Sequence, residues 1–392
     1  MFRMDMSGAN FLFSREKYHI IEKTIVTDFA LPTTSEVLKS LSTLIATGNP
    51  MSAGSPTAKK ARVDMKIGTH NGSFHCDEVL ACFLLRQLPK YKDAQITRTR
   101  DPAVLDTCDI VVDVGGVFDP EKNRFDHHQR SFKETMNSLN PKKRWNTKLS
   151  SAGLVYLHFG RQVLKQILEL ANDDPVLDII YDKVYENFVE EIDAVDNGIN
   201  QYDGDARYQI STTIGNRVRH LNPNWNEEAN EEAQFNKAYD MVGAEFLDRV
   251  LYYKKSWIPA RELVEQAIKE RTAVDPSGEI VVLKSGGCPW KDHLFNIEEE
   301  MCLSAKLKYV LYTDSSQKWR IQCVPLKIGS FENRLSLPEE WRGVRDAELT
   351  EKSGIPGCIF VHAGGFIGGN ETYDGALEMA RRSLKQQNEN GS

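Results

Sequence analysis

The sequence predicts an α/β protein: a doubly wound, mostly parallel sheet, then a helical connector and a second, smaller α+β domain. Three observations carry that expectation. Asp109-Ile110-Val111-Val112-Asp113 is a β-branched run without polar alternation, as in a central parallel strand buried on both faces. Strand patterns flank an apolar helix before it and long helical patterns follow it, the order in which parallel sheets are wound. After Pro276-Ser277-Gly278 the pattern returns to strands, which marks a second domain.

Taken in order, Lys66-Ile67-Gly68-Thr69 is a short strand that runs into the loop His70-Asn71-Gly72-Ser73-Phe74-His75. Asp77 to Leu88 is apolar almost all round, so it reads as a buried helix stopped by Pro89. Ala94-Gln95-Ile96-Thr97 is a second strand, Asp109–Asp113 a third, and Asn123 to His128 a fourth, after the turn at Asp119-Pro120. Helical patterns cover 152–170 and 176–195. Residues 226–272 read as helical with solvated acidic faces such as Glu227-Glu228. Strands are expected at 280–283, 309–312, 319–324 and 358–362, with a closing helix over 373–384. The division expected is therefore 1–64 as a flexible targeting or linker segment, 65–225 as the first domain, 226–274 as connector and 275–392 as the second domain.

Composition narrows the function. Of 392 residues, 41% are hydrophobic and 27% charged, which excludes wholesale disorder, and no apolar run is long enough to span a membrane. A net charge of −7 argues against a broad, sequence-blind nucleic-acid coat but leaves room for one catalytic groove. Seven scattered cysteines without a CxxC pair give neither a zinc ribbon nor a disulfide framework, and Cys82 reads as a small buried hydrophobe. Within 1–64, Lys59-Lys60-Ala61-Arg62 resembles a short nuclear import strip, whereas the acids of 1–50 oppose a mitochondrial leader.

The chemistry concentrates at strand ends. His70, His75 and Asp77 stand on a loop that Gly72 allows to fold tightly; Asp113 closes a buried strand; Asp126-His127-His128 follows the next. These are the edges where open α/β sheets build sites. An unpaired carboxylate at Asp113 would be costly there, and metal coordination removes the cost. Imidazole and carboxylate together suit divalent transition metals, manganese first. If 126–128 is extended, Asp126 and His128 point one way and His127 the other. In Glu190-Glu191-Ile192-Asp193-Ala194-Val195-Asp196-Asn197-Gly198, Phe188, Ile192 and Val195 mark a buried stripe. Asp196 lies nearer that stripe and is the candidate ligand, with Asp193 a support or an ordinary exposed acid.

The ordered set His70-Asn71-Gly72-Ser73-Phe74-His75-Cys76-Asp77-Glu78, Val111-Val112-Asp113-Val114-Gly115-Gly116, Asp126-His127-His128-Gln129-Arg130-Ser131-Phe132 and Glu186–Gly198 resembles the DHH phosphoesterase superfamily. It is most similar to that superfamily's eukaryotic branch, the melanocyte proliferating gene one proteins. The likeness continues through Ser150–Leu154, Trp319–Pro325 and Ser353–His362 and spans about 66–384. It implies a DHH-type catalytic domain and a dinuclear centre, Mn2+ with Mg2+ as the alternative. One ion would be held by His70, His75 and Asp113, the other by Asp77, Asp113, His127 and Asp196. It also implies a 3′-to-5′ exonuclease acting on single-stranded RNA 3′ ends in nucleus and mitochondrion, with the cytoplasm as an alternative; no oligomeric state is assigned. The chain departs from the superfamily at His75, where an aspartate is usual, and at Asn370, where relatives can carry histidine.

On this reading a bridging hydroxide attacks phosphorus, and His128, beside Asp126, protonates the leaving oxygen. Arg98, Arg100 and Arg130 are candidate phosphate clamps. Lys148 with Ser150 and Ser151 precedes a helix whose N-terminus suits an anion. His362, Gly364, Gly365, Gly368 and Gly369 form a glycine-rich segment expected to grip substrate. The competing expectations are a small-molecule phosphoesterase acting on pyrophosphate or short oligonucleotides, and a non-catalytic metal-binding regulator.

Overall fold

The computed structural model describes residues 65–228 and 230–390, so the import strip and the rest of 1–64 lie outside the described residues. Two compact units meet in sequence between Val250 and Leu251. The expected connector is thus divided. Its first half gives Phe235 and Phe246 to the core of the first unit, and its second half gives Val264, Ala267 and Ile268 to a core of the second.

In the first unit, strands β1 (Lys66–Thr69), β2 (Gln95–Arg98), β3 (Ile110–Val112), β4 (Phe118–Asp119) and β5 (Arg124–Phe125) form one sheet in the order β2-β1-β3-β5-β4. All neighbours are parallel except the edge pair β4–β5. The fourth strand is shorter than the sequence suggests, because 126–128 leaves the sheet after Phe125. Between β1 and β2 runs helix α1 (Cys76–Arg86), buried on nearly every side as its apolar sequence requires. It packs along α2 (Ser151–Leu168). The other face of β3 is thinly covered, by a small cluster of Leu105, Cys108, Val111 and Val114, so the double winding is only partial.

The helical run over 175–196 is not one regular helix. Helix α3 (Pro175–Val184) passes through a π-turn at Tyr185–Val189 into α4 (Glu190–Asp196). Helices α5 (Ile214–Leu221) and α6 (Glu231–Tyr252) follow.

The second unit holds α7 (Ile258–Lys269), β6 (Ile280–Leu283), α8 (Lys291–Glu300), β7 (Tyr309–Thr313), β8 (Trp319–Cys323), α9 (Asp346–Ser353), β9 (Cys358–Val361), β10 (Ile367–Asn370) and α10 (Tyr373–Asn390). Only β6–β7 is parallel in its sheet, ordered β6-β7-β8-β10-β9; the other pairs are antiparallel. Alternation along the strands builds two cores. Val282, Leu311 and Ile321 face α10, while Val281, Leu283 and Val310 face α7 and α8. All seven cysteines are free and Cys82 is fully buried. Among the described residues no helix is long and apolar enough to cross a membrane.

Candidate metal centre

Three parallel neighbours, β1, β3 and β5, end side by side, and the next residue of each is His70, Asp113 and Asp126. The chain leaves β3 sharply: Asp113 itself has φ 58°, a left-handed conformation, and Gly115 (φ 96°) and Gly116 (φ 69°) follow. That turn costs an Asp about 1 kcal/mol but directs its carboxylate across the strand ends. It also sends the Gly116 N–H into Asp126 Oδ2 at 2.5 Å.

Around Asp113 the donors close in. His70 Nε2 is 3.3 Å from Oδ2, and His127 Nδ1 and His128 Nδ1 each stand 3.5 Å from Oδ1. Potential ligand atoms fall into three groups, each within 4.8 Å: His70, His75, Glu78 and Asp113; Asp113, Asp126, His127 and His128; and Asp77, His127 and Asp196. Asp196 is reached from α4 through His127 Nε2 at 2.8 Å.

Whether such a cluster suits a cation is decided by Asp77. It is fully buried at the start of α1, and among the described residues no donor reaches either carboxylate oxygen. Burial and then the charges of Asp113, Asp196 and Glu78 drive its pKa well up. A divalent cation relieves all of these at once. His70 shows the same demand for positive charge. Burial alone would lower its pKa, yet Asp113 and Glu78 push it up to about 10. The donor set fits divalent metal.

Asp126 and His128 form a pair at the rim. His128 Nδ1 sits 2.7 Å from Asp126 Oδ1, leaving Nε2 free of the carboxylate. That bond raises the pKa of His128, against burial and with help from Asp113 and Asp196. Burial works against Asp126's charge, but bonds from His128 and Gly116 hold its pKa below the usual carboxylate range. His128 lines both cavities of the centre. One is of about 550 Å³ and includes His75, Lys148, Asp196 and Arg219; the other is of about 210 Å³ and includes His70, Arg100, Asp113 and Asp126.

Several sequence expectations need correction. His127 and His128 do not point apart; their rings stack at 4.4 Å, because 126–128 is loop rather than strand. Val195 is 57% exposed, so it marks no buried stripe, while Asp193 is fully buried. The π-turn adds residues to one turn, and a wheel counted through Phe188 loses phase there.

Asp193 takes the helix N-terminus expected to receive substrate. Ser150 N, Ser150 Oγ and Gly153 N all donate to its Oδ1 at 2.8–3.0 Å, and Tyr185 Oη donates to Oδ2 at 3.0 Å. Ser150 is therefore a clasp rather than a substrate contact. Ser151 is buried behind the centre, its Oγ 3.0 Å from Phe125 O, 3.1 Å from Asp113 Oδ1 and 3.3 Å from His127 Nδ1, so it ties the end of β5 to both side chains.

Arg98 is not a free clamp either. It lies over the rings of Phe74 and Phe235 and donates to Gly72 O at 2.5 Å, fastening the His70–His75 loop. Arg100 and Arg130 are exposed, and of these Arg100 lines the smaller cavity.

In the second unit, Gly368 and Gly369 are no loop. They lie inside β10, paired to β8 and β9 on both sides, with their backbone committed to the ladder. Gly365 is buried in the β9–β10 turn, where His362 and Gly364 are exposed. Asn370 is buried, donates to Pro356 O and accepts from Thr372 N, each at 2.9 Å, which fixes the entry to α10. Sequence reasoning did not single out Glu78, Ser151's orienting role or Arg219. Glu78 was visible in the quoted motif, but its burial was not.

Fold and centre together define an α/β protein with a His- and carboxylate-lined metal-type site at parallel strand ends. The model of an uncharacterised protein family (UPF0160, MYG1 exonuclease) matches residues 66–384, and the chain belongs to this family. It is 58% identical to the MYG1 exonuclease of Mus musculus over 337 residues, 84% of this chain and 89% of that protein. To the Homo sapiens MYG1 exonuclease it is 57% identical, covering 84% and 90%. To the MYG1 protein of Saccharomyces cerevisiae it is 46% identical, covering 83% and 97%.

Proposed function

We propose that the chain is a metal-dependent phosphodiester hydrolase of DHH type that removes nucleotides from single-stranded RNA 3′ ends. The nucleus and mitochondrion are its proposed places of work. The observation that carries the reading is the convergence of His70, His75, Asp77, Asp113, His127 and Asp196 beside the Asp126–His128 pair. The name exonuclease, borne by the mammalian relatives, supports the reaction class; RNA and polarity rest on the family resemblance.

Two divalent ions held there, Mn2+ or alternatively Mg2+, would activate water and offset charge building on the phosphate. The remaining work falls to the chain's own groups. Asp126 fixes the His128 ring and favours its protonated form, so a proton is available at Nε2 for the leaving oxygen. Ser151 holds Asp113 and His127 in orientation. Lys148 and Arg219 in the larger cavity, and Arg100 in the smaller, offer charge to phosphate oxygens. His362 and Gly364, exposed on their turn, are the remaining candidate contacts of the second unit.

The net charge of −7 favours a smaller anion, so the competing reading is a small-molecule phosphoesterase. One experiment separates them: 5′- and 3′-labelled RNA, dinucleotides and pyrophosphate, each incubated with the full chain and Mn2+. A ladder shortening from the 3′ end, absent with Asp113→Ala, is expected. Turnover of pyrophosphate alone selects the competitor, and no metal-dependent turnover at all rejects both.

A further inference from the structure

Glu78 brings a negative charge into the centre that its local role does not require. It sits at the third position of α1 and is fully buried. Its two oxygens accept the His75 backbone N–H at 2.8 and 3.0 Å, completing a capping box. Capping needs only an acceptor, which glutamine supplies as well as glutamate. A buried carboxylate, by contrast, costs several kcal/mol unless a cation meets it. Among the described residues no lysine or arginine is paired with Glu78, and its other contact is His70 Nε2 at 3.1 Å.

Charge is also uneven between the two ends of the centre. Asp77 and Asp196 stand with His127 at one end. At the other, His70 and His75 are neutral as ligands, and Asp113 is shared with the middle of the cluster. Without Glu78 that end would offer a cation only a share of one carboxylate.

We propose that Glu78 is the anionic ligand of the His70–His75–Asp113 position. It makes that position a four-donor site of two imidazoles and two carboxylates. Such a set selects a transition ion of the Mn2+ kind over Mg2+, which prefers oxygen donors and water. The end built on Asp77 and Asp196 is the more permissive of the two. The inference rests on the metal-centre reading and adds the inequality of the two positions.

The test uses the full chain stripped by chelator, with Mn2+ binding followed by calorimetry and by elemental analysis after dialysis. Wild type is expected to take two Mn2+ per chain. Glu78→Gln keeps the cap and removes the buried charge, so its metal-free melting temperature should not fall while one of the two Mn2+ sites weakens about 10–100-fold or more. Asp196→Asn should weaken the other. Two full-strength sites in Glu78→Gln overturn the proposal and leave the functional reading intact; a wild type that takes no Mn2+ overturns that reading. A second readout needs no variant. Anomalous scattering from Mn2+-loaded wild-type crystals should place a Glu78 oxygen in bonding contact with the ion beside His70, and a Glu78 carboxylate turned away from it refutes the assignment.

Discussion

Asp113→Asn isolates what the strained, central carboxylate does. Asparagine tolerates the left-handed backbone at φ 58° and can still accept from Ser151 Oγ, so the turn after β3 should survive. In the metal-free chain two effects oppose each other. Asp77 loses a repelling neighbour, and His70 loses one of its two acceptors but keeps Glu78. Each is on the order of 1 kcal/mol or more, and they largely cancel. Metal-bound stability should behave differently. At Mn2+ a hundred times its dissociation constant, wild type gains about 2.7 kcal/mol, or about 5–11 °C in a unit of this size. A hundredfold loss of affinity on removing a shared ligand leaves about 0.4 kcal/mol, about 1–2 °C. The assay is a melting curve of both proteins with chelator and across a Mn2+ titration. An Asp113→Asn protein that keeps the full Mn2+ shift would falsify the placement of this carboxylate at the centre. A metal-free variant destabilised by more than about 3 kcal/mol would instead make Asp113 a folding residue.

Three further outcomes follow from the hydrogen bonds. If protonated His128 is the leaving-group acid, hydrolysis falls as pH rises through its pKa; Asp126→Asn removes the group that raises that pKa and should move the alkaline limb of the rate profile to lower pH, while an unmoved limb rejects the pairing. Burial pushes Asp193 up to about 7, against its bonds from Ser150, Tyr185 and Gly153. An unfolded Asp ionises near 4, so as pH rises from about 4 to about 7 the native state loses stability, by on the order of 4 kcal/mol at most. Asp193→Asn should gain on wild type across that window in denaturant melts, and parallel curves would count against it. A Cβ at Gly153 would overlap the Asp193 carboxylate, so Gly153→Ala should lose about 1–3 kcal/mol despite its better helix propensity, read as a lower denaturant midpoint.

What could be read along the chain was what local pattern encodes. The apolar runs at 66–69, 110–112 and 280–283 formed strands, and 76–86 formed a buried helix, because each segment buries its own side chains. The strand at Ile367–Asn370 escaped notice because Ile-Gly-Gly-Asn has little strand preference; pairing on both sides holds it in place. Helix α5 was missed because its apolar stripe of Ile214, Val218 and Leu221 runs for only eight residues, with only Ile214 and Val218 buried. The grip of Asp193 on Ser150 spans 43 residues, and no local pattern encodes it. With that partner invisible in local sequence, the N-terminus of α2 reads as a place for an anion.

The same acids explain how an acidic chain could act on an anion. Asp77, Glu78, Asp113 and Asp196 gather inside the centre, whereas Arg100, Lys148, Arg219 and His128 line the surrounding cavities. Without cations the interior repels phosphate at short range, where screening is weak. Two divalent ions would cancel four carboxylates, and the sign of the cleft would then be set by its basic rim. The net charge of −7 is spread over the whole chain and screened beyond about 8–10 Å, so it weighs on a long polyanion more than on one phosphate inside the cleft. On the proposed function, cation binding would therefore precede substrate binding.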